Sequence, residues 1–163
     1  MHDVGYVHRN VKPANIMWLP RDESWTLIDF GCTARAGAGA PLRFSLAYAA
    51  PEVVHASLAR PPVTQMTVLP AVDAWSLGVV AYEVLTGNRV FMTQRHRRER
   101  VIEMLRGERP LPWETEGGAA ADPRLGALHG PVLKLLSREP GQRSTVREFA
   151  EECERIATRQ PGS

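Results

Sequence analysis

The sequence predicts a mainly α-helical domain that carries one small β-hairpin near its start. Three observations predict it. Residues 72–87 are apolar on nearly every face over a length that suits a helix, which marks a buried central helix. Leu125, Leu128, Val132, Leu135 and Leu136, and later Val146, Phe149, Cys153 and Ile156, recur at the three- and four-residue spacing of helical faces. Two short runs rich in β-formers, Ile16–Leu19 and Trp25–Ile28, flank the polar turn Pro20-Arg21-Asp22-Glu23-Ser24 and read as a hairpin.

The totals narrow the function classes. A chain of 163 residues is long enough for one domain with a real core. Hydrophobic residues make up 44% and charged residues 23%, ordinary for a globular protein. Twenty basic against 18 acidic residues give a net charge of +2, with no strong pull toward nucleic acid or a membrane surface. Cys32 and Cys153 lie far apart, which gives no zinc-ligand spacing and predicts reduced thiols in a cytoplasmic or nuclear protein. Met1-His2-Asp3 leads into polar and aromatic residues, unlike a signal peptide. No apolar run approaches the ~18 residues of a membrane span. There is no internal repeat and no linker. The expected organisation is one unit over residues 1–157 and a disordered tail over 158–163.

In chain order, Gly5-Tyr6-Val7 is an extended lead-in to the polar loop His8-Arg9-Asn10-Val11-Lys12-Pro13-Ala14-Asn15. The hairpin follows, and Asp29-Phe30-Gly31 comes directly after it. Residues 32–44 are rich in Gly and Ala, and Gly37-Ala38-Gly39 within them reads as flexible backbone. Gly37-Ala38-Gly39 lacks the third glycine of a phosphate-cradling loop. Residues 53–71, with Arg60-Pro61-Pro62 and Leu69-Pro70, read as a long loop. Gly87 is placed to end the central helix. The basic run Arg95-His96-Arg97-Arg98-Glu99-Arg100 opens an amphipathic helix through Leu105. It reads as a solvated face, since no aromatic interleaving supports nucleic-acid binding. Residues 107–124, with Gly117-Gly118, read as an irregular loop. Thr145 and Glu148 have the spacing of a capping box at the head of the last helix.

Five of these stretches together resemble the eukaryotic-type protein kinase superfamily. Residues 8–15 resemble its catalytic loop, His-Arg-Asp-x-Lys-Pro-x-Asn, and Asp29-Phe30-Gly31 its Asp-Phe-Gly. Ser45-Leu46-Ala47-Tyr48-Ala49-Ala50-Pro51-Glu52 resembles Thr-x-x-Tyr-x-Ala-Pro-Glu. Asp73-Ala74-Trp75-Ser76-Leu77-Gly78-Val79 resembles Asp-x-Trp-Ser-x-Gly-Val, and Pro140-Gly141-Gln142-Arg143-Ser144-Thr145 resembles Pro-x-x-Arg-x-Thr. The resemblance covers residues 5–157 and implies the family's C-terminal helical lobe, with the N-terminal β-lobe absent. That lobe supplies a Gly-rich loop and a strand lysine to the ATP phosphates. The only lysines here are Lys12 and Lys134.

The resemblance also implies roles. ATP and Mg²⁺ are the expected cofactors, with Asn15 and Asp29 as the cofactor-binding and metal-ligating residues. Lys12 would contact the transferred phosphate, and Lys12-Pro13-Ala14-Asn15 implies Ser/Thr rather than Tyr specificity. His8, Arg9, Glu52, Asp73 and Arg143 would be structural: Asp73 accepts from the catalytic-loop backbone, and Arg143 pairs with Glu52. The face carrying His8 and Phe30 is expected to be an exposed apolar patch. Arg9 in the family often pairs with a phosphorylated residue of the activation loop. The only hydroxyl between Cys32 and Phe44 is Thr33, next to the Asp-Phe-Gly stretch. Phe44 stands where glycine is common.

Asn10 departs from the resemblance, for it occupies the place of the catalytic Asp. A carboxylate accepts through both oxygens, whereas a carboxamide has one acceptor oxygen and an NH₂ donor and is no base near neutral pH. Losing a positioned base costs ~10²–10⁴ in rate. The sequence therefore implies a protein-kinase-domain fragment related to Ser/Thr kinases, inactive as written. The alternative is a pseudokinase, a scaffold that binds a protein partner. Either reading expects a protein substrate or partner and neither nucleic acid nor membrane. Oligomeric state is not specified by the sequence.

Overall fold

The computed structural model describes residues 1–91, 98–115 and 123–159. The strands β1 (Tyr6–Val7), β2 (Ile16–Leu19), β3 (Ser24–Leu27), β4 (Ala34–Arg35) and β5 (Gly39–Pro41) come first. Helix α1 (Pro51–Leu58) and strand β6 (Gln65–Thr67) lead into α2 (Ala71–Thr86). Helices α3 (Arg98–Leu105), α4 (Pro112–Thr115), α5 (His129–Leu135) and α6 (Val146–Arg159) complete the order, with short 3₁₀ turns between elements.

Helix α2 is the axis of the core. Its apolar sequence leaves it little to show to water, and Val72, Asp73, Ala74, Trp75, Ser76, Gly78, Val79, Val80, Tyr82 and Leu85 are buried. Polar members of such a helix need partners. Ser76 Oγ is shared between Tyr48 O at 2.7 Å and Val72 O at 3.0 Å. Gly87 ends the helix at φ 69°, its N–H on Glu83 O, in the left-handed region glycine adopts without steric cost. Trp113 of α4 packs its ring against Trp75, Tyr82 and Phe91, with centroids 5.7, 5.5 and 6.3 Å apart. Against α5, Gly78 permits close approach: a Cβ there would lie 2.9 Å from Leu135 Cβ and from Leu136 Cγ.

The hairpin pairs β2 with β3 in the register Ile16–Leu27, Met17–Thr26, Trp18–Trp25 and Leu19–Ser24. Its second strand starts at Ser24, one residue before the predicted run, and Ile28 lies just beyond it. Trp18 and Trp25 form an exposed cross-strand pair with centroids 5.4 Å apart. Ile16, Trp25 and Leu27 line an apolar groove of about 560 Å³ with Leu77 of α2 and Val146 and Ala150 of α6. Helix α6 opens on the capping box: Thr145 Oγ1 accepts from Glu148 N at 3.1 Å, and Glu148 Oε2 accepts from Thr145 N at 2.8 Å. Val146, Phe149, Cys153 and Ile156 form its half-buried face. Cys32 and Cys153 are free thiols, and burial pushes the Cys153 thiol pKa up.

Several expectations need correction. Three two-stranded sheets are present among the described residues, not one hairpin, because β1 also pairs with β4 and β5 with β6. Gly37-Ala38-Gly39 is therefore not free backbone, since it is bonded to Val68 and runs into β5, and residues 53–71 are not a single loop. They contain most of α1, which Pro51 starts at its first position, and β6. The predicted tail over 158–163 begins too early: α6 includes Thr158, whose Oγ1 bonds Glu154 O and Arg155 O at 3.0 Å each. Residues 160–163 lie outside the described residues, as do Arg95, His96 and Arg97 of the basic run and Gly117-Gly118. The described part of 107–124 includes α4, and Leu125 sits in a 3₁₀ turn (Pro123–Leu128) rather than in α5. No helix among the described residues is long and apolar enough to cross a membrane.

Candidate active site

The loop His8–Asn15 is held from beneath by α2. Asp73 Oδ2 accepts from His8 N and Oδ1 from Arg9 N, both at 2.7 Å. Oδ2 also meets His2 Nε2 at 2.8 Å. A carboxylate that is nearly buried has thus found three hydrogen-bond partners, which offsets its desolvation. Sequence spacing does not announce the His2 contact, since it joins residues 71 apart.

His8 is fully buried, so the expected exposed patch loses that member; Phe30 alone is exposed, packed edge-on to the imidazole at 5.5 Å. The imidazole is fixed by two bonds. Its Nε2 lies 3.0 Å from Ile28 O, a pure acceptor, and its Nδ1 accepts from Asn10 N at 3.3 Å. Only the neutral tautomer with the proton on Nε2 satisfies both. Arg9 has φ 67°, a conformation that costs free energy in a residue with a Cβ. Asp73 beneath it and the guanidinium contacts to Cys32 O (3.2 Å) and Pro41 O hold it there.

Asn10 stands at the mouth of an open cleft of about 400 Å³, lined also by Cys32, Leu42, Arg43, Phe44 and Ser45. Ser45 Oγ donates to Asn10 Oδ1 at 3.0 Å, and Lys12 Nζ donates to Ser45 Oγ at 3.2 Å. The single acceptor oxygen of Asn10 is thereby engaged, and the rest of its side chain is an NH₂ donor. An aspartate in the same place would give Ser45 one oxygen and keep the other as an acceptor for a hydroxyl proton. Asn15 Nδ2 donates to Asn10 O at 2.8 Å, leaving its side-chain oxygen as the atom able to meet a metal.

The hairpin brings Asn15 and Asp29 to one end. Ile28 N bonds Asn15 O at 3.0 Å across its base, and Asp29 is the next residue. Asp29, at φ 62°, is exposed and accepts from Gly31 N at 3.4 Å. Among the described residues no group of three His, Cys, Asp or Glu could hold a metal. The donor set is two oxygen-bearing side chains, a type that suits Mg²⁺ when phosphates and water complete an octahedron.

Behind the cleft, the segment Ser45–Glu52 is tied to the helices. Arg143 Nη1 and Nη2 each donate to a Glu52 oxygen at 2.7 Å. Tyr48 OH donates to Glu83 Oε2 at 3.1 Å, and burial, with the Glu83 charge, pushes the phenol pKa up to about 12.

A family model described as the protein kinase domain matches residues 1–153. The chain is 28% identical over 156 residues to the calcium and calcium/calmodulin-dependent serine/threonine-protein kinase of Oryza sativa subsp. japonica, covering 91% of this chain and 27% of that protein. It is 31% identical over 155 residues to calcium-dependent protein kinase 25 of Arabidopsis thaliana, covering 90% of this chain and 26% of that protein. With the serine/threonine-protein kinase Kist of Homo sapiens it shares 35% identity over 99 residues, 58% of this chain and 23% of that protein. The chain spans about a quarter of the length of these relatives. The loop, the Asn15 and Asp29 side chains and the tethered segment fall within one domain match that takes in nearly all of the sequence, and the chain belongs to the eukaryotic protein kinase superfamily.

Proposed function

We propose that this chain is the helical C-terminal part of a Ser/Thr-type protein kinase domain, spanning residues 1–157, and that it is inactive in phosphoryl transfer as written. The kinases it is similar to are described as serine/threonine-protein kinases, which supports a protein hydroxyl as the substrate group of the wider domain. The observation that carries the inactivity is the Asn10 side chain. Its one acceptor oxygen already accepts from Ser45, and a carboxamide, with an NH₂ donor in place of a second oxygen, is no base near neutral pH.

In a domain that binds ATP, Mg²⁺ would neutralise charge on the phosphates. Asn15 and Asp29 would hold it, and Lys12, bonded like Asn10 to the Ser45 hydroxyl, would meet the transferred phosphate. His8, Arg9, Asp73 and the Glu52–Arg143 pair would keep the loop and the segment in place. The gripping elements that family resemblance assigns to the ATP phosphates are not among these 163 residues. The cellular compartment that fits two free thiols is the cytoplasm or nucleus.

The test is γ-phosphate transfer by the endogenous protein, at whatever length its intact mass reports, with and without Asn10→Asp. Transfer rising ~10²–10⁴-fold in the variant is the expected result. Equal rates would overturn the assignment of inactivity to Asn10. The second reading, a scaffold that binds a protein partner, rests on the same lost acceptor in an otherwise intact loop. It expects a specific partner whose binding survives Asn10→Asp.

A further inference from the structure

Residues 32–44 offer few side chains with which to order themselves: four of the thirteen are alanine and two are glycine. Yet the segment is folded, and the chain between α1 and α2 folds it. Strand β6 pairs antiparallel with β5 in the register Gly39–Thr67, Ala40–Met66 and Pro41–Gln65. The ladder extends past both strand ends, with Val68 N on Ala38 O at 2.9 Å, Gly37 N on Val68 O at 2.8 Å and Leu42 N on Thr64 O at 3.4 Å. Hydrogen-bonded pairs alternate in such a ladder. The bonds at Ala38–Val68 and Leu42–Thr64 put Pro41 at a position that needs no N–H, so the proline fits. Ala40 and Val68 are buried, 4% and 2% exposed.

Arg9 closes the other side. Its guanidinium donates to Cys32 O and to Pro41 O, carbonyls near the two ends of the same segment. The only hydroxyl between Cys32 and Phe44 is that of Thr33, and its Oγ1 is buried. A cation that could meet a phosphate is thus already bonded to peptide oxygens.

We propose that strand Gln65–Thr67 is a built-in brace that, with Arg9, holds residues 32–44 in place without phosphorylation and so delivers Ser45 to Lys12 and Asn10. The brace is a property of the segment whether or not the site transfers phosphate, so its failure is separate from failure of the functional reading.

The test is amide hydrogen exchange by NMR on the whole chain, comparing wild type, Met66→Pro and Met66→Ala. Proline removes a ladder N–H opposite Ala40; alanine trims the side chain and keeps it. Exchange at Gly37 and Leu42 is expected to rise at least about tenfold in Met66→Pro, roughly the effect of one lost ladder bond. In Met66→Ala it should stay near wild type, and α2 should stay protected in both. Three results would overturn the brace. One is wild-type Gly37 and Leu42 exchanging like an open loop. Another is unchanged exchange in Met66→Pro. The third is α2 losing protection together with the ribbon, which would make the ribbon part of the global fold rather than a local device.

Discussion

Arg143 shows how completely one side chain can be used. A guanidinium has five N–H donors, and here Nε meets Ser137 O, Nη1 meets Glu52 Oε1 and Ala71 O, and Nη2 meets Glu52 Oε2 and Arg138 O. Its side chain is 1% exposed, and its Cζ lies 5.1 Å from the centre of the Trp75 ring. Removing it strands the Glu52 carboxylate, so Arg143→Met should cost about 3–5 kcal/mol in urea unfolding. Arg143→Lys should recover only part of that, since an ammonium cannot reproduce the fork. Tyr48 gives a pH prediction. Its phenol, raised to about 12 mainly by burial, keeps its proton in the folded chain after the unfolded chain has lost it. Stability from this group is complete below the ordinary phenol range near 10 and is lost as pH rises toward 12. Tyr48→Phe should flatten that alkaline loss in pH-dependent denaturation, and the ultraviolet difference spectrum should show the phenol ionising near 12. The Arg143–Glu52 contact was legible because two motifs of one family resemblance name both ends. The His2–Asp73 contact was not, since a lone histidine carries no spacing signal.

Among the elements, those whose cause is local were readable and those made by pairing at a distance were not. Helix α2, its Gly87 end, the hairpin and the α6 cap each follow from neighbouring residues. Strands β5 and β6 are Gly39-Ala40-Pro41 and Gln65-Met66-Thr67. Neither shows alternating apolar residues over a strand's usual length, so only the partner strand makes them strands. Gly78 marks the opposite case, a helix glycine kept for packing. Alanine would gain about 1 kcal/mol of helix propensity, but its Cβ would fall 2.9 Å from Leu135 Cβ and Leu136 Cγ. Overpacking of that kind costs about 1–3 kcal/mol, so Gly78→Ala should lower the urea midpoint. At the head of α6, Thr145→Ala should cost about 1 kcal/mol. The Thr145 bonds hold the Glu148 carboxyl pKa below the usual range. Its contribution is present above the ordinary glutamate pKa and fades as pH falls through the lowered one. Glu148→Gln should therefore differ from wild type at neutral pH and converge with it in acid.

At the scale of the molecule, the buried aromatic and aliphatic cluster centres on the helices and takes in Val7 of β1 and Ala40 of β5, and the cleft residues belong to loops hung from α2. The helical frame was legible from periodicity, whereas the cleft became legible only through motif combination. Its key fact, an amide whose oxygen is already bonded, required three-dimensional contacts. Two side-chain oxygens give a nucleotide–metal complex little to hold. Adding about 1 mM Mg·ATP to residues 1–163 should leave Tm unchanged, because a ligand stabilises only once its concentration exceeds its Kd. A clear rise in a thermal melt would show a grip these side chains do not account for. The exposed indoles of Trp18 and Trp25, 5.4 Å apart and inclined at 60°, have one more consequence. Their transition dipoles are close enough to couple, so the native hairpin should carry a split, two-signed ellipticity band. That band vanishes when the strands part, which makes the hairpin observable by circular dichroism apart from the helices.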